Sequence, residues 1–301
     1  MRALRILQEL KDLSKSGIVL LVCISVLGGF VIAQSPETPL NLINLACSLF
    51  GVLLLASGSS ALNQLQERVL DAKMARTSSR PLPAGRLTGK KALIFILCST
   101  GIGLLLLSRL SREVFVLGIA AIVFYNGFYT LWWKKRWPFA AVPGAIPGAI
   151  PIWIGALSAR NELFHPVGVY LFFFVFFWQM PHFWVLALRY KEDYRRGGIP
   201  TLPVAHGAAV TVFHIQLWLL AYIALVLIAP FFLKVRAFYL IIAFLMSVLL
   251  LLKFRAFARA PESGSWLGFF IWVNFSLVIL LAAAVIDLWS WNFLASWIAK
   301  G

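Results

Sequence analysis

Charge is scarce in this chain. Only 13% of its 301 residues are Asp, Glu, Lys or Arg, about half the share usual in a soluble domain, and just 11 are acidic. So few charges cannot clothe a water-exposed globule, which excludes an ordinary soluble protein. Cysteine is also rare. Cys23, Cys47 and Cys98 fall in apolar runs without paired ligand spacing, so they read as packing residues, with metal ligation or a disulfide the minor alternative. The N-terminal stretch has no small-residue cleavage site and carries Glu9 and Asp12. Residues 1–16 therefore read as a retained cytoplasmic amphipathic segment rather than a signal peptide. No Ser, Cys or His nucleophile arrangement stands out, and no convincing internal repeat.

What is present is apolar. Hydrophobic residues make up 61% of the chain and the mean hydropathy is +0.88, values of an integral membrane protein. Runs long enough to cross a hydrocarbon core of about 30 Å occur near residues 18–33, 42–62, 92–107, 114–133, 139–159, 167–188, 209–229, 237–252 and 266–286. The expected fold is all-α and polytopic, with nine transmembrane helices in a single domain over 17–301. The proline-interrupted fifth span could be broken or partly re-entrant. The 27 basic residues test the count, because cytoplasmic loops collect Lys and Arg. Nine spans put 21 of them on the N-terminal side and 6 on the other. This predicts a cytoplasmic (inner) membrane protein with its N-terminus cytoplasmic and its C-terminus outside. The net charge of +16 is dispersed over membrane loops and is no nucleic-acid signature. Anionic lipid and anionic substrate explain it better.

One concentration of polar groups follows the second span. Asn63, Glu67 and Asp71 are spaced i, i+4, i+8 and share one face if that helix continues past Leu62. Amide and carboxylate oxygens are hard ligands suited to Mg2+, which takes one or two protein carboxylates and completes its shell with water and substrate phosphate. Lys73, Arg76 and Arg80 follow and could hold phosphate oxygens. The spacing reads as a diphosphate site, with a solvated cytoplasmic loop as the equal alternative.

A second polar region follows the sixth span. Glu192 and Asp193 could form another metal site, and Arg189, Lys191, Arg195 and Arg196 add positive field. On the same side, Tyr125, Asn126 and Tyr129 precede Lys134, Lys135 and Arg136, which either contact phosphate or anchor a helix end. His182, after Pro181, could ligate haem iron, relay a proton or hydrogen-bond within the bundle. His206 and His214 are weaker candidates, and His165 lies on the far side. The aromatic run from Phe172 to Trp178 reads as packing before pocket lining. Pro143, Pro147 and Pro151 with intervening small residues suit close helix packing, or the approach of a flat ligand.

The run Asn63, Glu67, Asp71, then Arg76-Thr77, Arg80-Pro81-Leu82-Pro83 and Gly85 resembles the first motif of the UbiA superfamily of intramembrane prenyltransferases. Tyr129-Thr130 with Lys134 to Arg136, Pro181-His182-Phe183, and Tyr190 to Tyr194 with Gly198 to Pro203 are similar to the branch that farnesylates haem. The resemblance implies a bundle with a central cavity open to the cytoplasmic side, and transfer of a farnesyl group from farnesyl diphosphate to a vinyl group of haem B with Mg2+ as cofactor. It implies Asn63, Glu67, Asp71, Glu192 and Asp193 as metal ligands. Lys73, Arg76, Arg80, Lys134, Arg136, His182, Arg189 and Lys191 would contact substrate; independently of the resemblance, an aromatic face such as Tyr125 or Tyr129 could shelter the allylic cation. Membrane lipid and a downstream haem-processing membrane protein are the implied partners. Two departures stand out: Glu67 replaces a frequent Asp, and Tyr190 and Tyr194 stand where a second D-x-x-x-D motif would be. A prenyltransferase for a quinone precursor or other aromatic acceptor is the alternative, and a transporter a more distant one.

Overall fold

Backbone N–H and C=O groups in hydrocarbon have no water to bond, so an apolar run that crosses a bilayer must satisfy them within itself, as a helix does. A computed structural model describes residues 2–35, 38–261 and 264–298, with side chains described from residue 8 to residue 290 within those ranges. Among the described residues, nine helices are long and apolar enough to cross a membrane. A short amphipathic helix, α1 (Arg2–Ser14), precedes them. The spans are α2 (Ser16–Ala33), α3 (Leu42–Asp71), α4 (Gly89–Ser108), α5 (Arg112–Arg136), α6 (Ala141–Arg160) and α7 (Pro166–Arg189). After the six-residue α8 (Lys191–Arg196) come α9 (Leu202–Leu227) and α10 (Ala237–Arg259), then α11 (Ser265–Ile298).

Side chains at the boundaries set where the helices start. Asn41 accepts a hydrogen bond from Asn44 N at 3.0 Å and Ser111 one from Val114 N at 3.2 Å, capping α3 and α5. His165 caps α7, with Pro166 at its first turn. The second run stays helical to Asp71, nine residues beyond its apolar end. The seventh starts at Leu202, earlier than hydropathy suggests, and bends at Gly207, whose φ of 81° only glycine adopts cheaply. The fifth run is interrupted at Ala145 and resumes to Arg160, so α6 is a broken helix that is long and apolar enough to cross.

Small residues set the closest crossing. A Cβ added to Gly29 of α2 would lie 2.1 Å from Ile152 O of α6, and one on Gly155 of α6 would lie 2.1 Å from Val26 O of α2. The two backbones touch reciprocally, as small-residue packing in membranes allows. One core, with Trp184, Tyr222, Phe257 and Phe269, joins α6, α7, α9, α10 and α11. A second, with Val26, Leu55, Val114 and Ile154, joins α2 to α6. Leu13 seats α1 against α3 and α4. The C-terminal ends of α3 and α5 and the start of α2 thereby meet at one membrane face.

Candidate active site

The stripe on α3 does converge. Asn63, Glu67 and Asp71 are each 2% exposed or less, so the three oxygen donors face protein rather than lipid or bulk water. A different cation holds each one. Lys15 Nζ donates to Asn63 Oδ1 at 2.7 Å, Lys134 Nζ to both Glu67 oxygens at 2.8 Å, and Arg80 Nη1 to Asp71 Oδ2 at 2.7 Å. Three basic side chains surround two carboxylates, a set that suits an anionic substrate.

The Asn63 amide cannot turn freely. Its Nδ2 donates to Thr130 Oγ1 at 3.1 Å, and Thr130 Oγ1 donates to Tyr125 O at 2.8 Å. That leaves Oδ1 as the oxygen presented to the site. Thr130 reaches back five residues because α5 is π-helical from Val123 to Trp133, an i→i+5 geometry frequent at functional sites. The same winding stacks Tyr125 on Tyr129, with ring centroids 6.0 Å apart and planes 13° apart. Asn126 pins the segment to α3 through Ser59 and Gln66.

Lys15 is the residue that sequence reasoning passed over, counting it only as a sidedness charge. Gln64 Nε2 donates to Asp12 O at 3.0 Å and Leu13 O at 2.8 Å, capping the end of α1. The chain then turns through Lys15 at φ 54° and ψ 54°, which aims its side chain at Asn63 and, at 3.5 Å, at the Tyr125 hydroxyl. Burial, then the charges of Arg80 and Lys134, pull the Lys15 ammonium down to about 7. The available signal was only its position, a lone basic residue between an amphipathic segment and the first span.

The second polar region comes to the first, though differently from expectation. Asp193 accepts hydrogen bonds from Ala75 N and Arg76 N, both at 3.2 Å, so it clamps α8 to the turn after α3. Tyr190 and Tyr194 carry the Arg76 guanidinium, 4.7 and 5.6 Å from their ring centroids. Arg189 lies over Tyr190 and Trp266. Glu192 is not brought in: it is exposed and paired with Arg195 at 2.7 Å. Lys73 and Arg136 are exposed and Lys191 half-buried, with no contact to the three oxygens. His182 stacks on Trp178 and packs at a tilt on Phe270 of α11, and its Nδ1 has no hydrogen-bond partner. His206 and His214 pack on Phe139. Among the described residues no three His, Cys, Asp or Glu side chains gather as a metal cluster. Two carboxylates and one amide remain, a hard-oxygen set that suits Mg2+ with water and phosphate completing the shell.

Beside Tyr129 and Lys134 lies a cavity of about 40 Å3, bordered by Trp184, Ala187, Tyr194 and Ile199. It has room for a water or so. Gly144 leaves room for the Tyr129 ring: a Cβ there would meet it at 2.6 Å. Gly144→Val should displace that ring and lower turnover about tenfold while costing about 1–3 kcal/mol of stability, the usual price of overpacking. Turnover beside thermal unfolding checks this, and unchanged turnover would remove Tyr129 from the reacting site.

The family model described as UbiA prenyltransferase family matches residues 22–278. A protoheme IX farnesyltransferase of Bdellovibrio bacteriovorus is 42% identical over 283 residues, 94% of this chain and 96% of that protein. Among solved structures, a digeranylgeranylglyceryl phosphate synthase superposes with a TM-score of 0.76 at 18% identity, covering 94% of this chain and 99% of the other. A UbiA homolog from Archaeoglobus fulgidus bound to DMAPP and Mg2+ gives 0.66 at 19% identity, covering 92% and 99%.

Proposed function

The chain belongs to the UbiA prenyltransferase family, and on that footing we propose that it transfers a farnesyl group from farnesyl diphosphate to the vinyl group of haem B, giving haem O. The observation that carries this reading is the row of three buried oxygen donors on α3, each facing a cation from another segment. It is joined to the 42% identity with a haem farnesyltransferase over 94% of the chain. The protein is an integral membrane enzyme. We place its N-terminus and active-site rim on the cytoplasmic side of the inner membrane, from the distribution of basic residues. A haem-processing membrane protein would take the product.

Asn63, Glu67 and Asp71 would hold Mg2+, which when bound supplies positive charge to the departing diphosphate. Lys15, Lys134 and Arg80 already sit within 3 Å of those oxygens, and can turn to phosphate oxygens as the acids acquire another counter-charge. The allylic C1–O bond breaks and its electron pair leaves with diphosphate. Tyr125 and Tyr129 offer stacked faces to the allylic cation, an attraction of about 2 kcal/mol when desolvated. The vinyl group supplies the electron pair for the new C–C bond. Positive charge passes to the haem substituent, where water adds and loses a proton. Asp193 and Arg76 act through the loop clasp, holding Arg80 and the turn after Asp71 in register.

Purified protein given Mg2+, labelled farnesyl diphosphate, and haem B beside an aromatic acid tests the proposal. The label is expected in haem O, and chelation of Mg2+ should abolish it. Label in the aromatic acid alone would replace haem as acceptor, and no product with either would remove the enzymatic reading.

A further inference from the structure

A basic cavity lies at the opposite membrane face. Of the six Lys and Arg residues expected on that side, Arg160, Lys234 and Arg236 line one cavity of about 570 Å3. They arrive from two separate connections, α6 to α7 and α9 to α10. Loops on this face are generally poor in bases, so half of its supply meeting at one spot points to an anionic occupant. The carboxylate in the lining is Asp287, whose Oδ2 holds the start of α10. It accepts from Arg236 N and, at 3.3 Å, from Tyr239 N, where α10 starts. Arg160 Nε donates to Ala33 O, fixing the guanidinium at the end of α2 with its other nitrogens still able to donate. His165 Nδ1 accepts from Val167 N at 3.3 Å, which assigns the proton to Nε2 and adds a neutral donor.

The rim differs in kind. Pro230, Phe231 and Phe232 border the same cavity, and Phe231 is 86% exposed. Cations beside exposed aromatic rings in one lining match a ligand with an anionic head and an apolar body. The 18-residue α2 separates this cavity from Lys15 by ~27 Å at 1.5 Å per residue, so it is no extension of the reacting site. We propose that this cavity binds the phosphate headgroup of an anionic phospholipid from the leaflet opposite the active site, with its acyl chains along Phe231 and Phe232. Basic pockets between membrane helices bind lipid headgroups by the same electrostatics.

The test is native mass spectrometry of the delipidated full chain titrated with phosphatidylglycerol, diacylglycerol, inorganic phosphate or haem B. Phosphatidylglycerol should bind about tenfold or more tighter than diacylglycerol. Arg160→Gln/Lys234→Gln should lose that advantage while farnesyl transfer in detergent is retained. Lys234→Gln alone leaves the Arg160 bond to Ala33 intact, so it separates lost binding from lost folding, and it should weaken the lipid several-fold. Unchanged lipid affinity in both variants would overturn the proposal. So would inorganic phosphate displacing the lipid at equal concentration, or the variants losing haem affinity instead.

Discussion

Asp71→Asn is expected to lower haem O formation by about 10²–10³-fold, the cost typical of removing one preorganised charge-stabilising group. The substitution keeps the side chain's size and an oxygen for Arg80, which now lies 2.7 Å from the carboxylate. It removes the negative charge that a divalent cation needs. Haem extracted from membranes of a host lacking its own haem O, expressing wild type or variant at equal level, reads the effect. Retained haem O synthesis would remove Asp71 from the essential set.

The second large effect is expected at Lys134. Glu67 has a side chain only 3% exposed and takes both oxygens' bonds from this ammonium. Lys134→Gln leaves that carboxylate buried without its direct ion-pair partner, which should cost about 3–5 kcal/mol and most of the activity. Glu67→Gln/Lys134→Gln removes both charges and should recover much of the lost stability, because two neutral amides can bond to each other. It should nevertheless stay inactive, because on the proposed mechanism Glu67 would hold the metal and Lys134 would contact phosphate. Thermal unfolding and product formation on the single and double variants distinguish the two roles. A double variant that regains both would make the pair purely structural.

How much of this was legible in the sequence depends on the range of each interaction. The α3 stripe follows from helix periodicity alone, since i, i+4 and i+8 share a face wherever the helix continues. The nine spans follow from the length of apolar runs, checked by the placement of bases. Glu192 and Asp193 looked equivalent as neighbours, but adjacent residues on a helix do not face the same way. On α8 one turns to Ala75 and Arg76, the other to water. The π-helical winding that brings Thr130 to Tyr125 is not written in the apolar pattern of that span, which reads equally well as an α-helix. It is fixed by the contacts of Asn126 with Ser59 and Gln66 on α3. Lys15 was hidden for a similar reason. Its role depends on a left-handed turn held by Gln64, 49 residues further along the chain.

The most direct test of the α3 site is the Mg2+ dependence of binding for a non-ionising farnesyl diphosphate analogue, measured by calorimetry on wild type, Glu67→Gln and Asp71→Asn. Mg2+ should tighten the analogue by about tenfold or more, ~1.4 kcal/mol, in the wild type, and the gain should vanish in both variants. An equal gain in all three proteins would place the metal and the diphosphate elsewhere.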